Sequence, residues 1–455
     1  MQIGRSEFDV SRKRNEAAVN TAAQAFASWS QWPVADRAAM LRKMVAQLDT
    51  HRAEFYAIAA QEVGASRVWI DFNIDLAIET LLHVASLSPA LDERVVEVER
   101  TAKRSIVRRQ AAGVVLGMVP WNAPIALGVR AVACPLMCGN TVVMKGSELC
   151  PQTHRLLVDV LNAVGLPEGV LVFVVNSPDE AHETMVQLIA HPCIRRINFT
   201  GSTRVGREVA IEAARYLKPV LLELSGKAPL IVLEDADLEA AVEAAIFGAF
   251  FNQGQICMST ERIIAVKSIA DAFVSKLEAR TRLLSAADPV VETAGLGRLV
   301  SSDAVVRITG LIEEAVSKGA RLLVGGQVDG TVMQPAVIDG ISSNMRIYHE
   351  ETFGPVAGVL RVHDEEEAIS IANDTDLGLN AAIFTNDMDR AQMIADRLEF
   401  GVVQINGPTV HDDPSMPFGG MKMSGHGRFG GESAINEFTE TRWIATHQVG
   451  TTPRL

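Results

Sequence analysis

Cysteine is scarce in this sequence, with five among 455 residues. Cys134, Cys138, Cys150, Cys193 and Cys257 are an odd set without a Cys-x-x-Cys pair, which suits a reducing compartment, the cytoplasm, better than a secreted disulfide scaffold. Clustered positive charge is lacking too. Lysine and arginine number 42 against 55 acidic residues, for a net charge of −13, and no basic stripe, zinc-finger, RNP or basic-zipper pattern occurs. Phosphate backbones are bound through clustered Lys and Arg, so nucleic acid is excluded as a main partner. The N-terminus carries Arg5, Glu7, Asp9, Arg12, Lys13, Arg14 and Glu16, and so has no apolar signal-peptide core. The one charge-free run as long as a membrane span, residues 111–129, contains Pro120, Asn122 and Pro124. It reads as strand, turn and helix, and no membrane partner is expected.

What is present is a 48% hydrophobic, 21% charged composition, far from that of a disordered chain. At roughly 150 residues per domain the length gives two or three domains, with core enough to stand without staples. An enzyme of small molecules is the default expectation. From residue 111 onward short apolar strands alternate with helices: strands at 114–119, 141–144, 170–175, 195–199 and 219–224, with helices from Pro124, at 152–163, after Ser177 and at 203–216. A second run has strands at 230–233, 262–266, 357–361, 381–384 and 402–405. Strands without polar alternation, separated by helices, describe parallel sheets covered on both faces. The fold class is therefore α/β, with two doubly wound domains. Residues 96–110 read as a projecting charged hairpin and 441–447 as a strand with no local partner; both could complete a neighbouring subunit's sheet.

The literal G-x-G-x-x-G pattern occurs at Gly425–Gly430, but after loop-like residues. It has physical meaning only after a strand and at the start of a helix, so it reads as a structural turn. Thr200-Gly201-Ser202-Thr203 does follow a strand and open a helix, where free N–H groups favour an anion such as a pyrophosphate. From this segment alone, phosphate site and structural turn stay equally open. Lys145-Gly146-Ser147-Glu148 ends a strand where open α/β sheets bind ligands; a carboxylate there can accept both ribose hydroxyls and would repel a 2′-phosphate. A solvated loop is the alternative. Cys257 follows the polar turn Asn252-Gln253-Gly254-Gln255, unlike the other four cysteines, which read as small core residues.

Together, Pro120-Trp121-Asn122, Lys145–Glu148, Phe199–Ser202, Leu222-Glu223-Leu224-Ser225-Gly226-Lys227, Gly254-Gln255-Ile256-Cys257, Glu350-Glu351-Thr352-Phe353-Gly354-Pro355 and Pro417-Phe418-Gly419-Gly420 resemble the NAD(P)-dependent aldehyde dehydrogenase superfamily over nearly the whole chain. The resemblance implies Cys257 as nucleophile, Glu223 as general base, Asn122 as oxyanion donor with the Cys257 N–H, and Lys145 as an aid to cofactor positioning and to Glu223's proton traffic. It also implies Lys145 and Glu148 at the adenosine ribose, Gly201 and Ser202 at the pyrophosphate, Glu351 at the nicotinamide ribose, and Phe353 and Trp121 beside the nicotinamide. The cofactor expected is NAD, preferred over NADP. Residues 1–95 and 111–224 would bind it, 225–434 would carry the nucleophile, and 96–110 with 435–455 would build a homodimer or a dimer of dimers.

The wording Pro120–Pro124, Cys257–Arg262 and Ile405–Asp412 looks like that of bacterial salicylaldehyde and vanillin dehydrogenases, pointing to an aromatic aldehyde. The alternatives are a succinate-semialdehyde or broad aliphatic enzyme, and a silent binding protein of the same fold. Retention of Cys257, Glu223, Asn122 and Lys145 speaks against silence. Arg130, eight residues past Asn122 and so about 80° round the helix, is the only charge in residues 111–144 and is a candidate for substrate contact or a salt bridge. Trp69 is a candidate aromatic wall or a core residue. Two departures stand out: Ser225 replaces the family's usual Gly, and strands usually preceding the first helix are absent, through truncation or a subfamily trait.

Overall fold

The computed structural model describes residues 5–91, 94–96, 104–292 and 294–446. Four helices, Arg5–Trp29, Val34–Thr50, Arg52–Val63 and Arg67–Ser86, come first. A six-stranded sheet follows, in the spatial order Gly425–His426, Val220–Glu223, Ile194–Thr200, Val114–Met118, Thr141–Lys145, Leu171–Val174. Its five longer strands are parallel. The chain starts at Val114–Met118, builds outward to one side and then returns to the other, so the crevice at that strand's carboxyl end is a topological switch point. Val115 packs into one core layer and Val114 and Leu116 into the opposite one with Val19 and Ala22, as expected of a strand covered on both faces.

The second sheet has seven strands, ordered Arg321–Val324, Ala336–Asp339, Val356–Val362, Thr260–Val266, Ala228–Val232, Asn380–Phe384, Val402–Ile405. All neighbours are parallel except the first pair. The sequence pattern did not single out Arg321–Val324 or Ala336–Asp339. Both are four residues long, and the first is an edge strand with outward residues exposed, so neither carries a long apolar run.

Two expectations change. The C-terminal strand, Thr439–Thr446, does have a partner in its own chain: it pairs antiparallel with Arg104–Ala111, which also pairs with Arg94–Val96. Residues 97–103 of the hairpin and His447 of that strand lie outside the described residues. Gly425–His426, from the stretch assigned to the second domain, adds an antiparallel edge to the first sheet beside Glu223. The G-x-G-x-x-G pattern thus begins on an edge strand and opens no βαβ helix. Residues 111–129 do form strand, turn and helix, and among the described residues no helix is long and apolar enough to cross a membrane.

Candidate active site

Three strand ends of the six-stranded sheet set the site. Asn122 lies just beyond Val114–Met118, Thr200 ends Ile194–Thr200, and Glu223 ends Val220–Glu223; these strands are neighbours, so their carboxyl ends share one rim. Cys257 is brought to this rim from the other domain by an unusual turn. Asn252, Gln253 and Gly254 have φ of 48°, 56° and 69°, and non-glycine residues held there store about 1–3 kcal/mol each. Side chains hold the turn: Asn252 Nδ2 donates to the Asn122 carbonyl at 3.2 Å, and the Val300 N–H donates to Gln255 Oε1 at 3.0 Å. A Cβ on Gly254 would lie 2.1 Å from the Gly354 carbonyl oxygen, and one on Gly226 equally close to that of Cys257. Only glycine lets the two chain segments cross so tightly.

Asn122 is buried. Its Nδ2 donates one hydrogen to the Gln255 carbonyl at 3.0 Å, leaving the amide's second hydrogen for an incoming oxyanion. Its backbone carbonyl accepts the Trp69 indole N–H at 2.8 Å. Trp69 itself is buried, stacked on Phe72 at 5.4 Å and edge-on to Phe251 at 5.0 Å. Of its two sequence readings, the core one describes it, with the addition that its N–H orients the Asn122 segment.

The Glu223 side chain is 1% exposed, and neither carboxyl oxygen meets a hydrogen-bond partner of ordinary geometry among the described residues. Burial pushes its pKa up to about 7, with the neighbouring Cys257 thiol and Arg130 charge opposing the rise. A carboxyl poised near neutrality suits proton transfer in either direction. Burial also raises the Cys257 thiol well above its ordinary value, and Glu223 raises it further. The resting pair thus holds its proton, and ionising the thiol requires Glu223 or water to accept it.

On the cofactor side a cleft of about 390 Å³ is lined by Trp121, Asn122, Gly201, Ser202, Glu223, Cys257, Glu351 and Phe353, eight residues expected from sequence. Ser202 caps the helix Thr203–Arg215, accepting the Val205 N–H at 3.4 Å, so the positive helix end faces the cleft. Phe353 stands edge-on to Trp121 at 5.8 Å. Lys145 and Glu148 are ion-paired with each other, and Asn176 Nδ2 donates to Glu148 at 2.9 Å. Carboxylate, ammonium and helix end along one switch-point crevice fit the ribose and pyrophosphate of a dinucleotide.

The structure does not bring Lys145 to Glu223. Two strands separate theirs, a span of about 14 Å at roughly 4.8 Å per strand, and the ammonium is engaged by Glu148. Arg130 is buried and ion-paired with Asp412, and both charges bear on Glu223. Cys134, Cys138 and Cys150 are buried as expected, whereas Cys193 is partly exposed.

Sequence reasoning missed a further set. Glu261 accepts the Thr352 and Phe353 N–H groups, each at 2.9 Å, and pairs with the fully buried Lys227 at 2.7 Å. Lys227 also donates to the Glu350 carbonyl at 2.7 Å. This pair holds Phe353 at φ 43° and fixes the loop that carries Glu351. Glu351 accepts the Gly226 N–H at 3.0 Å, and burial raises its pKa to about 7. Charges at the start of the strand Thr260–Val266 and just before the strand Ala228–Val232 were the available signal. Ser225 fits its turn by accepting the Thr203 N–H at 3.4 Å, and Arg307 reaches the Glu351 and Thr352 carbonyls at 3.0 and 2.8 Å.

The profile of the aldehyde dehydrogenase family matches residues 7–444. A vanillin dehydrogenase of Pseudomonas fluorescens is 51% identical over 429 residues, 94% of this chain and 89% of that protein. A salicylaldehyde dehydrogenase of Pseudomonas putida is 45% identical over 428 residues, with the same shares covered. The crystal structure of a salicylaldehyde dehydrogenase from Pseudomonas putida G7, complexed with salicylaldehyde, superposes with a TM-score of 0.96 at 42% identity, covering 98% of this chain and 92% of that one.

Proposed function

The chain belongs to the aldehyde dehydrogenase family, and from that premise we propose that it oxidises an aromatic aldehyde of the salicylaldehyde, vanillin or benzaldehyde type to its carboxylic acid, with NAD⁺ as oxidant. The observation that carries the mechanism is the Cys257 thiol beside the buried carboxyl of Glu223. The Cys257 thiol gives its proton to water, and the thiolate attacks the aldehyde carbon. The Asn122 amide and the Cys257 N–H hold the oxyanion. NAD⁺, which Gly201, Ser202, Glu351 and Phe353 would hold, would supply the hydride acceptor. A thioester remains on Cys257; Glu223, as base, takes a proton from water, the hydroxide attacks the thioester, and the departing thiolate takes that proton back as the acid is released.

The names of the relatives support an aromatic substrate. The Arg130 charge is already matched by Asp412, which disfavours capture of a distal carboxylate and hence the succinate-semialdehyde alternative. The test is NADH formation with benzaldehyde, hydroxybenzaldehydes, succinate semialdehyde and linear aldehydes. The aromatic set should show the highest kcat/KM; a lead for succinate semialdehyde would displace this reading.

We read the cofactor as NAD in preference to NADP, because the Glu148 carboxylate would oppose a 2′-phosphate. Glu148→Gln should lower the NAD-over-NADP ratio of kcat/KM by at least about tenfold, because the like-charge repulsion of a 2′-phosphate is lost; an unchanged ratio would move the discrimination elsewhere. Residues 1–95 and 111–224 would serve the cofactor and 225–434 the nucleophile. We assign a homodimer, or a dimer of dimers, to the hairpin and the C-terminal strand. Thr439–Thr446 is an edge strand, and its Trp443 is 69% exposed, which supports an interface there. Five unpaired cysteines support a cytoplasmic location.

A further inference from the structure

The chemistry is carried by three segments of the chain, and one buried ion pair stands where they meet. Lys227 ends the turn that leaves Glu223, and Glu261 lies at the start of the strand Thr260–Val266, just past Cys257. Lys227 is fully buried and the Glu261 side chain is 5% exposed, with the ammonium 2.7 Å from Glu261 Oε2. Both reach the third segment, residues 350–353. Lys227 Nζ donates to the Glu350 carbonyl at 2.7 Å; the Thr352 N–H donates to both carboxyl oxygens of Glu261 and the Phe353 N–H to Oε1, each at 2.9 Å. The Gly226 N–H, next to Lys227, donates to Glu351 at 3.0 Å. Neither member of the pair lines the cofactor cleft, whereas Glu351 and Phe353 do. Phe353 is held at φ 43°, a conformation that a residue with a Cβ keeps only where its surroundings impose it. A buried ion pair adds little stability over apolar residues of the same size, so what this one supplies is geometry.

We propose that Lys227 and Glu261 are positioning residues for hydride transfer: the pair locks residues 350–353 to the segments bearing Cys257 and Glu223, so that Glu351 and Phe353 hold the nicotinamide end of NAD⁺ at reacting distance from the aldehyde carbon on Cys257. This rests on the mechanism read above and names the groups that order its oxidation step. A shift of about 1 Å in that loop is enough to slow the step by about a hundredfold. The carboxylate gives the loop's N–H groups fixed, charged acceptors, which hold them more tightly than neutral ones would.

In Glu261→Gln an N–H₂ group replaces one acceptor oxygen and meets the Lys227 ammonium and the Thr352 N–H, donor against donor, so the loop must move. The first turnover of NADH, followed by stopped flow with benzaldehyde and its formyl-deuterated form, should slow by at least about 30-fold and show a deuterium isotope effect of about 2 or more. By calorimetry the variant should bind ADP within about threefold of the wild type, because the reading above places the adenosine end at Glu148 and Ser202, while NAD⁺ loses at least about tenfold in affinity. Four results would each overturn the assignment and leave the mechanism standing: a first turnover within about threefold of the wild type, a slowing without an isotope effect, NAD⁺ affinity kept within about threefold, or ADP binding weakened as much as NAD⁺ binding. If Glu261→Gln does not fold, Lys227→Met/Glu261→Leu, which strands no charge, takes the same test; failure of both to fold would also overturn the assignment. A wild type that forms no NADH from any aldehyde would overturn the mechanism as well.

Discussion

Cys257→Ala should lower NADH formation by at least about 10⁴-fold with every aldehyde, while NAD⁺ binding and the folded state persist. The expectation follows from where the sulfur lies. Cys257 is the only cysteine lining the cleft that also holds Asn122 and Glu223, and an aldehyde carbon gives up hydride readily only after a nucleophile has made it tetrahedral. Cys134, Cys138 and Cys150 are buried elsewhere and offer no substitute. Removing one sulfur from the wall of an open cleft leaves little new cavity, so stability should move little. A steady-state rate within tenfold of the wild type, together with normal folding, would remove Cys257 from its role.

Glu223→Gln should give one NADH per active site in a fast burst and then a steady state slower by about 10²–10⁴-fold. Hydride transfer precedes hydrolysis, and only the second step needs water to lose a proton to the carboxylate. The isosteric amide keeps the packing and removes the base. In the wild type the carboxyl titrates near 7 and acts in its ionised form. The steady-state rate should therefore fall as the pH drops through that value and level off above it. That limb should vanish in Glu223→Gln, while an unchanged profile would assign the titration to another group.

Much of this site was legible because parallel sheets put chemistry at strand ends. Asn122, Thr200 and Glu223 follow apolar runs, and the runs' adjacency makes them one rim. What was not legible depends on contacts across long sequence distances or on backbone conformations with no compositional mark. Asp412 lies 282 residues from Arg130. The strand Thr439–Thr446 finds Arg104–Ala111 over more than three hundred residues, and a single strand's pattern does not name its partner. The left-handed turn at Asn252 and Gln253 contains no glycine at those two positions, and Glu261 acts through the N–H groups of a loop ninety residues on. The link from Lys145 to Glu223 was drawn for a related reason: order along the chain gives residues at the sheet's rim, but strand order in space sets which of them can touch.

The central claim, that oxidation proceeds through an acyl group on Cys257 which Glu223 clears, is tested most directly by intact-protein and peptide mass spectrometry of Glu223→Gln. The variant is mixed with NAD⁺ and a benzaldehyde and quenched in acid. The account predicts close to one acyl group per chain, carried on the Cys257 peptide and appearing together with the NADH burst. NADH formed in at least stoichiometric amount with Cys257 unmodified, or with the acyl group on another residue, would contradict it.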